Sequence, residues 1–113
     1  MTPPKKRKNS RAKGANGERE FAKFLSERGF EARRGQQFHG GPGSPDVVCD
    51  SPVHFEVKRV EGTKQLSGWM AQAVRDCGGK TPVVAHRRNG DAWLAILRMD
   101  DLLKLLPRED PDA

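Results

Sequence analysis

Two short β-rich segments, residues 46–49 and 53–60, place charged side chains at positions that a strand would present on one face. Side chains alternate between the two faces of a strand, so Glu56 and Lys58 share one face while Phe55 and Val57 point to the other. Residues 50–52 read Asp-Ser-Pro, which has turn chemistry. The pattern therefore restricts the chain to folds that contain a β-hairpin with one apolar and one polar face.

The length of the loop at residues 50–52 predicts which residues of this hairpin face each other. If Cys49 pairs with Val53, counting outward places Asp46 directly opposite Glu56. Cross-strand Cβ atoms lie roughly 4.5 to 5.5 Å apart, so both carboxylates can reach one cation, and without a cation like charges placed there are destabilising. Oxygen-only ligands favour Mg²⁺, with Mn²⁺ as a substitute, and Mg²⁺ retains waters that can supply a nucleophile.

Lys58 lies two residues beyond Glu56 and is expected to project beside the cation. An ammonium group there can orient a water molecule or stabilise charge that develops on a phosphoryl oxygen. The alternative interpretation is that Glu56 and Lys58 form the solvated polar face of an exposed strand. A Pro-Asp pair before the first strand, a glycine-rich loop and a basic N-terminus favour a nuclease site.

At 113 residues the chain is long enough for one compact domain with a modest core. No apolar run approaches the roughly 18 residues of a membrane span, and no apolar segment follows the basic N-terminus. We therefore expect a protein without membrane contact in the cytoplasm. Cys49 and Cys77 lack the spacing of a zinc or redox motif and are expected in the core.

The net charge of +6 is concentrated at the N-terminus. Six of the 21 basic residues lie within residues 1–13, which hold no acid, and the rest of the chain carries 15 basic and 15 acidic residues. We expect residues 1–13 to form a flexible basic arm that binds phosphate backbones, residues 14–106 to form the domain, and residues 107–113 to form a flexible tail. A solubilising tail or a nuclear localisation signal is the alternative for the arm.

Periodicity and turn residues predict an α/β chain with the element order α-β-β-β-α-β-β-α. Asn16 is expected to cap the first helix, and residues 35–45, rich in Gly and Pro, form a loop. Asn89-Gly90 between two apolar runs is the strongest hairpin signal in the chain. The predicted bounds are helix 17–28, strands 30–34, 46–49 and 53–60, helix 66–77, strands 82–86 and 92–97, and a helix capped by Asp100 that runs to residue 106.

These motifs carry a resemblance. Pro45-Asp46 followed by Glu56-Val57-Lys58 resembles the signature of the PD-(D/E)XK nuclease superfamily, and residues 13–20 are similar to the N-terminal helix motif of archaeal Holliday junction resolvases. Small phage and bacterial proteins of that resolvase type are also similar in the helix around residues 69–73 and in the strand and Asn-Gly hairpin of residues 82–93. The resemblance covers about residues 13–106.

The resemblance implies a restriction-endonuclease-like fold, which is a mixed β-sheet flanked by helices. It also implies an enzyme that hydrolyses DNA phosphodiester bonds with Mg²⁺. It matches Asp46 and Glu56 to the metal-binding acids, the backbone carbonyl of Val57 to a further metal ligand, and Lys58 to the catalytic lysine. Glu18 matches the helix acid, which belongs to the catalytic and metal site and usually acts through water.

Two further expectations concern the first helix and the assembly. Glu20 is the alternative to Glu18 as the helix acid, and it lies on a different helical face. Resolvases of this kind act as two-fold dimers that place two sites on opposing strands, so a homodimer is implied by the resemblance.

Basic and polar residues around the hairpin are candidates for DNA contact. His39 lies in the glycine-rich loop, and Gln72 is either a solvated helix residue or a contact near the site, which the resemblance favours. His54 is expected at an exposed strand position rather than as a ligand. Trp69 and Trp93 are expected in the core. The candidates are Lys5, Lys6, Arg7, Lys8, Arg11, Lys13, Arg19, Arg33, Arg34, His39, Arg59, Lys64 and Gln72.

The leading hypothesis is an endonuclease that acts on branched DNA as a Holliday junction resolvase. A structure-selective or nicking DNA nuclease of the same fold is the close alternative. A catalytically silent DNA-binding module is a different class, against which the intact acid, acid and lysine set argues, because an unused cluster of like charge is destabilising. Nothing in the sequence favours an RNA-processing enzyme.

Overall fold

The computed structural model describes residues 10–35 and 46–109, with side chains described from residue 14 onward. Four of the predicted arm residues, Lys5, Lys6, Arg7 and Lys8, lie outside the described residues, as do the side chains of Arg11 and Lys13. The loop residues 36–45, including His39 and Pro45, and residues 110–113 of the tail also lie outside them.

The order of the elements confirms the predicted α-β-β-β-α-β-β-α arrangement. The helices are α1 Ser10–Ser26, α2 Leu66–Asp76 and α3 Met99–Leu105, and the strands are β1 Ala32–Arg34, β2 Val47–Cys49, β3 Val53–Lys58, β4 Thr81–His86 and β5 Leu94–Ile96.

The five strands form one mixed sheet in the order β1-β2-β3-β4-β5. The β1/β2, β2/β3 and β4/β5 pairs are antiparallel, whereas β3 and β4 are parallel and are joined through α2. Val47 pairs with Phe55, which is the register predicted for the first hairpin. The fold is therefore the mixed α/β architecture that the resemblance implies.

The two longer helices pack on opposite faces of the sheet. Phe21, Ala22 and Leu25 of α1 form one buried cluster with strand residues that include Val57 and Ala85. Trp69 and Ala73 of α2 form a second cluster with Val84. Val84 and Ala85 are neighbours on β4, so their side chains point to opposite faces of the sheet. Each of the two helices thus buries an apolar stripe against the sheet, and β3 lies between them.

Trp93 packs against the first cluster, with its ring centroid 4.8 Å from that of Phe21, and Trp69 is buried in the second cluster. Both tryptophans are therefore core residues, as predicted. Cys49 is buried, and Cys77 is partly exposed. Within the described part of the chain, no helix is long and apolar enough to cross a membrane.

Two predicted helix caps are wrong. Helix α1 begins at Ser10, inside the predicted arm, because Arg11, Ala12, Lys13 and Ala15 are residue types that favour helix strongly enough to extend it through Gly14. The Asn16 side chain instead accepts a hydrogen bond from Arg19 Nη1 at 3.2 Å. Arg98 precedes helix α3 and makes no side-chain capping hydrogen bond. Asp100 lies in the first turn of α3, where its carboxylate stabilises the helix by interacting with the helix dipole.

Candidate active site

Strand β3 presents His54, Glu56 and Lys58 on the face that α2 covers. Glu56 is fully buried and His54 is 3% exposed. The prediction of an exposed position for His54 is therefore wrong, because the packing of α2 removes this face of the strand from solvent. The alternative of a solvated polar face for Glu56 is wrong for the same reason.

Asp46 lies directly before β2 and is buried beside β3. Its Oδ2 accepts a hydrogen bond from the backbone N–H of Val57 at 2.8 Å. Burial, followed by the charge of Glu56, raises the pKa of Asp46 to about 6. The structure thus brings the predicted pair of carboxyl groups together, and the charge of Glu56 disfavours the ionised form of Asp46.

The two oxygens of Glu56 have different surroundings. Oε1 lies 2.9 Å from Nε2 of His54, whereas Oε2 is buried and no N–H or hydroxyl group in the described part of the chain donates to it. Burial raises the pKa of Glu56, while a hydrogen bond from the Asp46 carboxyl and the charge of Lys58 lower it. Burial lowers the pKa of His54, which favours the neutral imidazole.

Helix α1 contributes Glu18, which is buried and accepts a hydrogen bond from Arg34 Nε at 2.6 Å. Burial raises the pKa of Glu18, Arg34 lowers it, and the charge of Asp46 raises it. Glu18 therefore lies within electrostatic reach of the hairpin carboxylates. The alternative helix acid, Glu20, instead forms ion pairs with Arg59 and Arg87.

The Lys58 ammonium donates a hydrogen bond to Gln72 Oε1 at 3.3 Å. Gln72 comes from α2, so this contact links the helix to the end of β3. Of the two interpretations of Gln72, the structure favours the contact near the site.

The other predicted DNA-contact residues occupy several environments. Arg59 is committed to Glu20 and to Asn89, whose Oδ1 accepts from Nη1 at 2.9 Å, and its side chain is 18% exposed. Arg34 is committed to Glu18. Arg19, Arg33 and Lys64 are exposed.

Two residues that pack beside the site without contacting its carboxylates were not identified from the sequence. His86 is buried on β4 opposite Lys58, and its Nε2 lies 2.8 Å from the Val60 carbonyl oxygen. Gly17 packs so closely on the residue after β3 that a Cβ there would lie 2.6 Å from Arg59 Cβ. In the sequence, His86 is marked only as a lone histidine at the end of an apolar strand. Gly17 is marked only by its position before Glu18.

The chemistry of the donors fits a hard divalent cation. Asp46 and Glu56 supply carboxylate oxygens, and Glu56 Oε2 is a buried acceptor without an N–H or hydroxyl donor in the described residues. Within those residues, no group of three or more His, Cys, Asp or Glu side chains is arranged to hold a metal ion. Two carboxylates completed by water are nevertheless a common ligand set for Mg²⁺, which demands fewer protein ligands than zinc.

Comparison with known protein families shows which family the chain belongs to. The sequence model of a family described as "phage putative PDDEXK endonuclease" matches residues 9–111 of the 113 residues. The chain belongs to this family. Membership in the phage PDDEXK family confirms the predicted PD-(D/E)XK superfamily, in which divalent metals generally support nuclease activity on DNA. No curated protein and no solved structure gives a significant match.

Proposed function

We propose that the protein is a Mg²⁺-dependent endonuclease that hydrolyses DNA phosphodiester bonds at Asp46, Glu56 and Lys58. The observation that carries this proposal is the buried pair of carboxylates, one of which has an oxygen, Glu56 Oε2, with no N–H or hydroxyl donor in the described residues. Burying two mutually repelling carboxylates without a cation is unfavourable. A cation bound by both carboxylates would offset this repulsion, which accounts for the arrangement.

Asp46 and Glu56 would hold the cation, with the Val57 carbonyl as a further ligand and Glu18 acting through water. Mn²⁺ would substitute, since it accepts the same oxygen donors. The bound cation supplies Lewis-acid chemistry that neutralises negative charge on the phosphate.

Lys58 is the residue of this site with an ionisable amine, and Gln72 fixes its position through the contact at 3.3 Å. Its ammonium stabilises the negative charge that builds on the phosphoryl oxygens as a water oxygen attacks phosphorus. One ester P–O bond breaks, the leaving oxygen takes a proton, and the water loses one. The products are a 5′ and a 3′ strand end, one of which carries the phosphate.

We propose branched DNA, and a four-way junction in particular, as the substrate, with the protein acting as a Holliday junction resolvase in the cytoplasm of the host. The resemblance of residues 13–20 to resolvases supports this assignment, and a homodimer follows from it. Exposed apolar side chains in and directly after α3, namely Met99, Leu103 and Leu106, supply surface that a second copy would cover. A nicking or structure-selective nuclease is the alternative.

The test compares labelled four-way junction, splayed duplex and linear duplex, each with Mg²⁺ or EDTA. We expect the junction to be cut fastest and EDTA to abolish cleavage. Lys58→Ala should lower the single-turnover rate by roughly 100-fold or more. Lys23→Ala is the matched control, because that lysine is 79% exposed on α1 and pairs with Glu27.

Each possible result separates one of the proposals from the others. Equal cleavage of the three substrates would remove the resolvase assignment while keeping the nuclease. Binding of DNA without cleavage in any divalent metal would identify a catalytically silent module. Lys58→Ala cutting as fast as Lys23→Ala would exclude the assigned site.

A further inference from the structure

His54 and Glu56 form a buried pair on the face of β3 that α2 covers. His54 is 3% exposed and Glu56 is fully buried, and His54 Nε2 lies 2.9 Å from Glu56 Oε1. An ionised carboxylate only accepts hydrogen bonds, so the hydrogen of this contact lies on Nε2 and the imidazole donates. The contact therefore occupies one defined oxygen of the carboxylate.

The second oxygen, Oε2, is left without such a donor in the part of the chain that the structure describes. A buried acceptor that no N–H or hydroxyl group reaches is destabilising, and a charged one more so. The hydrogen bond to Oε1 also restricts rotation of the carboxylate about the last bond of the Glu56 side chain. The histidine thus fixes which oxygen remains available to a ligand.

We propose that His54 is a positioning residue, which by donating to Oε1 holds Glu56 so that Oε2 binds the divalent cation. This proposal rests on the proposed function, since it concerns the cation of that site. Partners that orient a metal ligand through a hydrogen bond typically change metal affinity by 10- to 100-fold when they are lost.

His54 does not act on the substrate itself. Its exposure of 3% leaves no surface for a phosphate, and its Nε2 is occupied by Glu56. The imidazole borders a cavity of about 260 Å³ that is also lined by Val48, Asp76 and Lys80. A small replacement would let water enter from this cavity and imitate the lost donor, so the test needs a side chain that fills the space.

The experiment measures Mn²⁺ affinity by electron paramagnetic resonance, without DNA, for the full chain and its variants. His54→Leu fills the space without a donor, and we expect it to bind Mn²⁺ 10- to 100-fold more weakly. His54→Gln retains an amide N–H at similar reach and should stay within about threefold of the parent. His54→Asn, whose amide is too short to reach Oε1, should behave like His54→Leu and serves if the leucine variant does not fold.

His86→Leu is the matched control. His86 is also a buried histidine, on the neighbouring strand, but its Nε2 contacts the Val60 backbone carbonyl rather than Glu56. We expect this variant to lose thermal stability and keep its Mn²⁺ affinity, which separates loss of packing from loss of positioning. An equal loss of affinity in His86→Leu and His54→Leu would overturn the proposal.

Two other results would also overturn it. One is parental Mn²⁺ affinity in folded His54→Leu or His54→Asn, and the other is a loss in His54→Gln as large as in His54→Leu. If the parent neither binds Mn²⁺ nor cuts DNA, the proposed function fails. If the parent does both and the His54 variants match it, only the positioning role fails.

Discussion

Asp46 shows at the scale of one residue how the site opposes the stability of the fold. Its carboxyl is buried beside Glu56, and together these effects raise its pKa to about 6. The unfolded chain releases this proton near pH 4. The metal-free folded state therefore loses stability as the pH rises from about 4 to 6, by about 3 kcal/mol.

Asp46→Asn removes this loss because the amide has no proton to release. Without metal, we expect the variant to be more stable than the parent at pH 7.5, by about 3 kcal/mol, and close to it at pH 4. Urea denaturation in EDTA at both pH values measures the difference. A difference that is the same at pH 4 and pH 7.5 would show that the Asp46 charge does not destabilise the fold.

The proximity of Asp46, Glu56 and Lys58 was predictable from the sequence because these residues are close along one hairpin. The alternation of β3 and the short loop before it placed Asp46 opposite Glu56, and the Val47–Phe55 pairing confirms that register. The burial of His54 was not predictable, because it depends on which face of the sheet α2 covers. The Arg34–Glu18 contact joins residues 16 positions apart across two elements and has no local signal either.

At the scale of elements, the contact between α1 and the end of β3 sets the position of Glu18. Gly17 makes this approach possible, since a Cβ at that position would lie 2.6 Å from Arg59 Cβ. Arg59 is held in place by Glu20 of the same helix. The helix therefore cannot move away without breaking that ion pair.

Gly17→Ala should displace α1, destabilise the protein by about 1 to 3 kcal/mol and slow DNA cleavage through Glu18. Gly14→Ala is the control on the same helix, because a Cβ there meets nothing within 4 Å. It should be neutral or stabilising by up to about 1 kcal/mol, since alanine favours helix. Thermal unfolding and cleavage rates check both variants, and equal behaviour would contradict the role of the close contact.

The order and type of the elements followed from periodicity and turn residues, whereas the helix caps did not. Asn16 and Asp100 have the side chains that favour cap positions. At the start of α1, the helix-forming residues upstream of Asn16 extended the helix to Ser10. At α3 the helix starts at Met99, and Arg98 Nε donates to Asp101 at 2.7 Å.

At the scale of the whole molecule, the excess positive charge lies at the N-terminal end of the sequence, ahead of the residues of the site. Residues 1–9 include four basic residues and precede α1, so their removal leaves the described helix whole. We expect the truncated protein to bind DNA more weakly and to lose up to about 3.6 units from the slope of log K against log salt, at 0.9 per phosphate contact. Its metal requirement should not change, and an unchanged slope would contradict a role for these residues as a phosphate-binding arm.

The central claim is that Asp46 and Glu56 hold the cation on which DNA cleavage depends. Single-turnover cleavage of labelled DNA, measured across a Mg²⁺ titration, tests it for Asp46→Asn and Glu56→Gln. The control is Glu27→Gln, because the Glu27 side chain is 57% exposed directly after the end of α1. We predict that both site variants fold and cut at least 100-fold more slowly at every Mg²⁺ concentration, while Glu27→Gln matches the parent. Parental rates and Mg²⁺ dependence in either site variant would contradict the account.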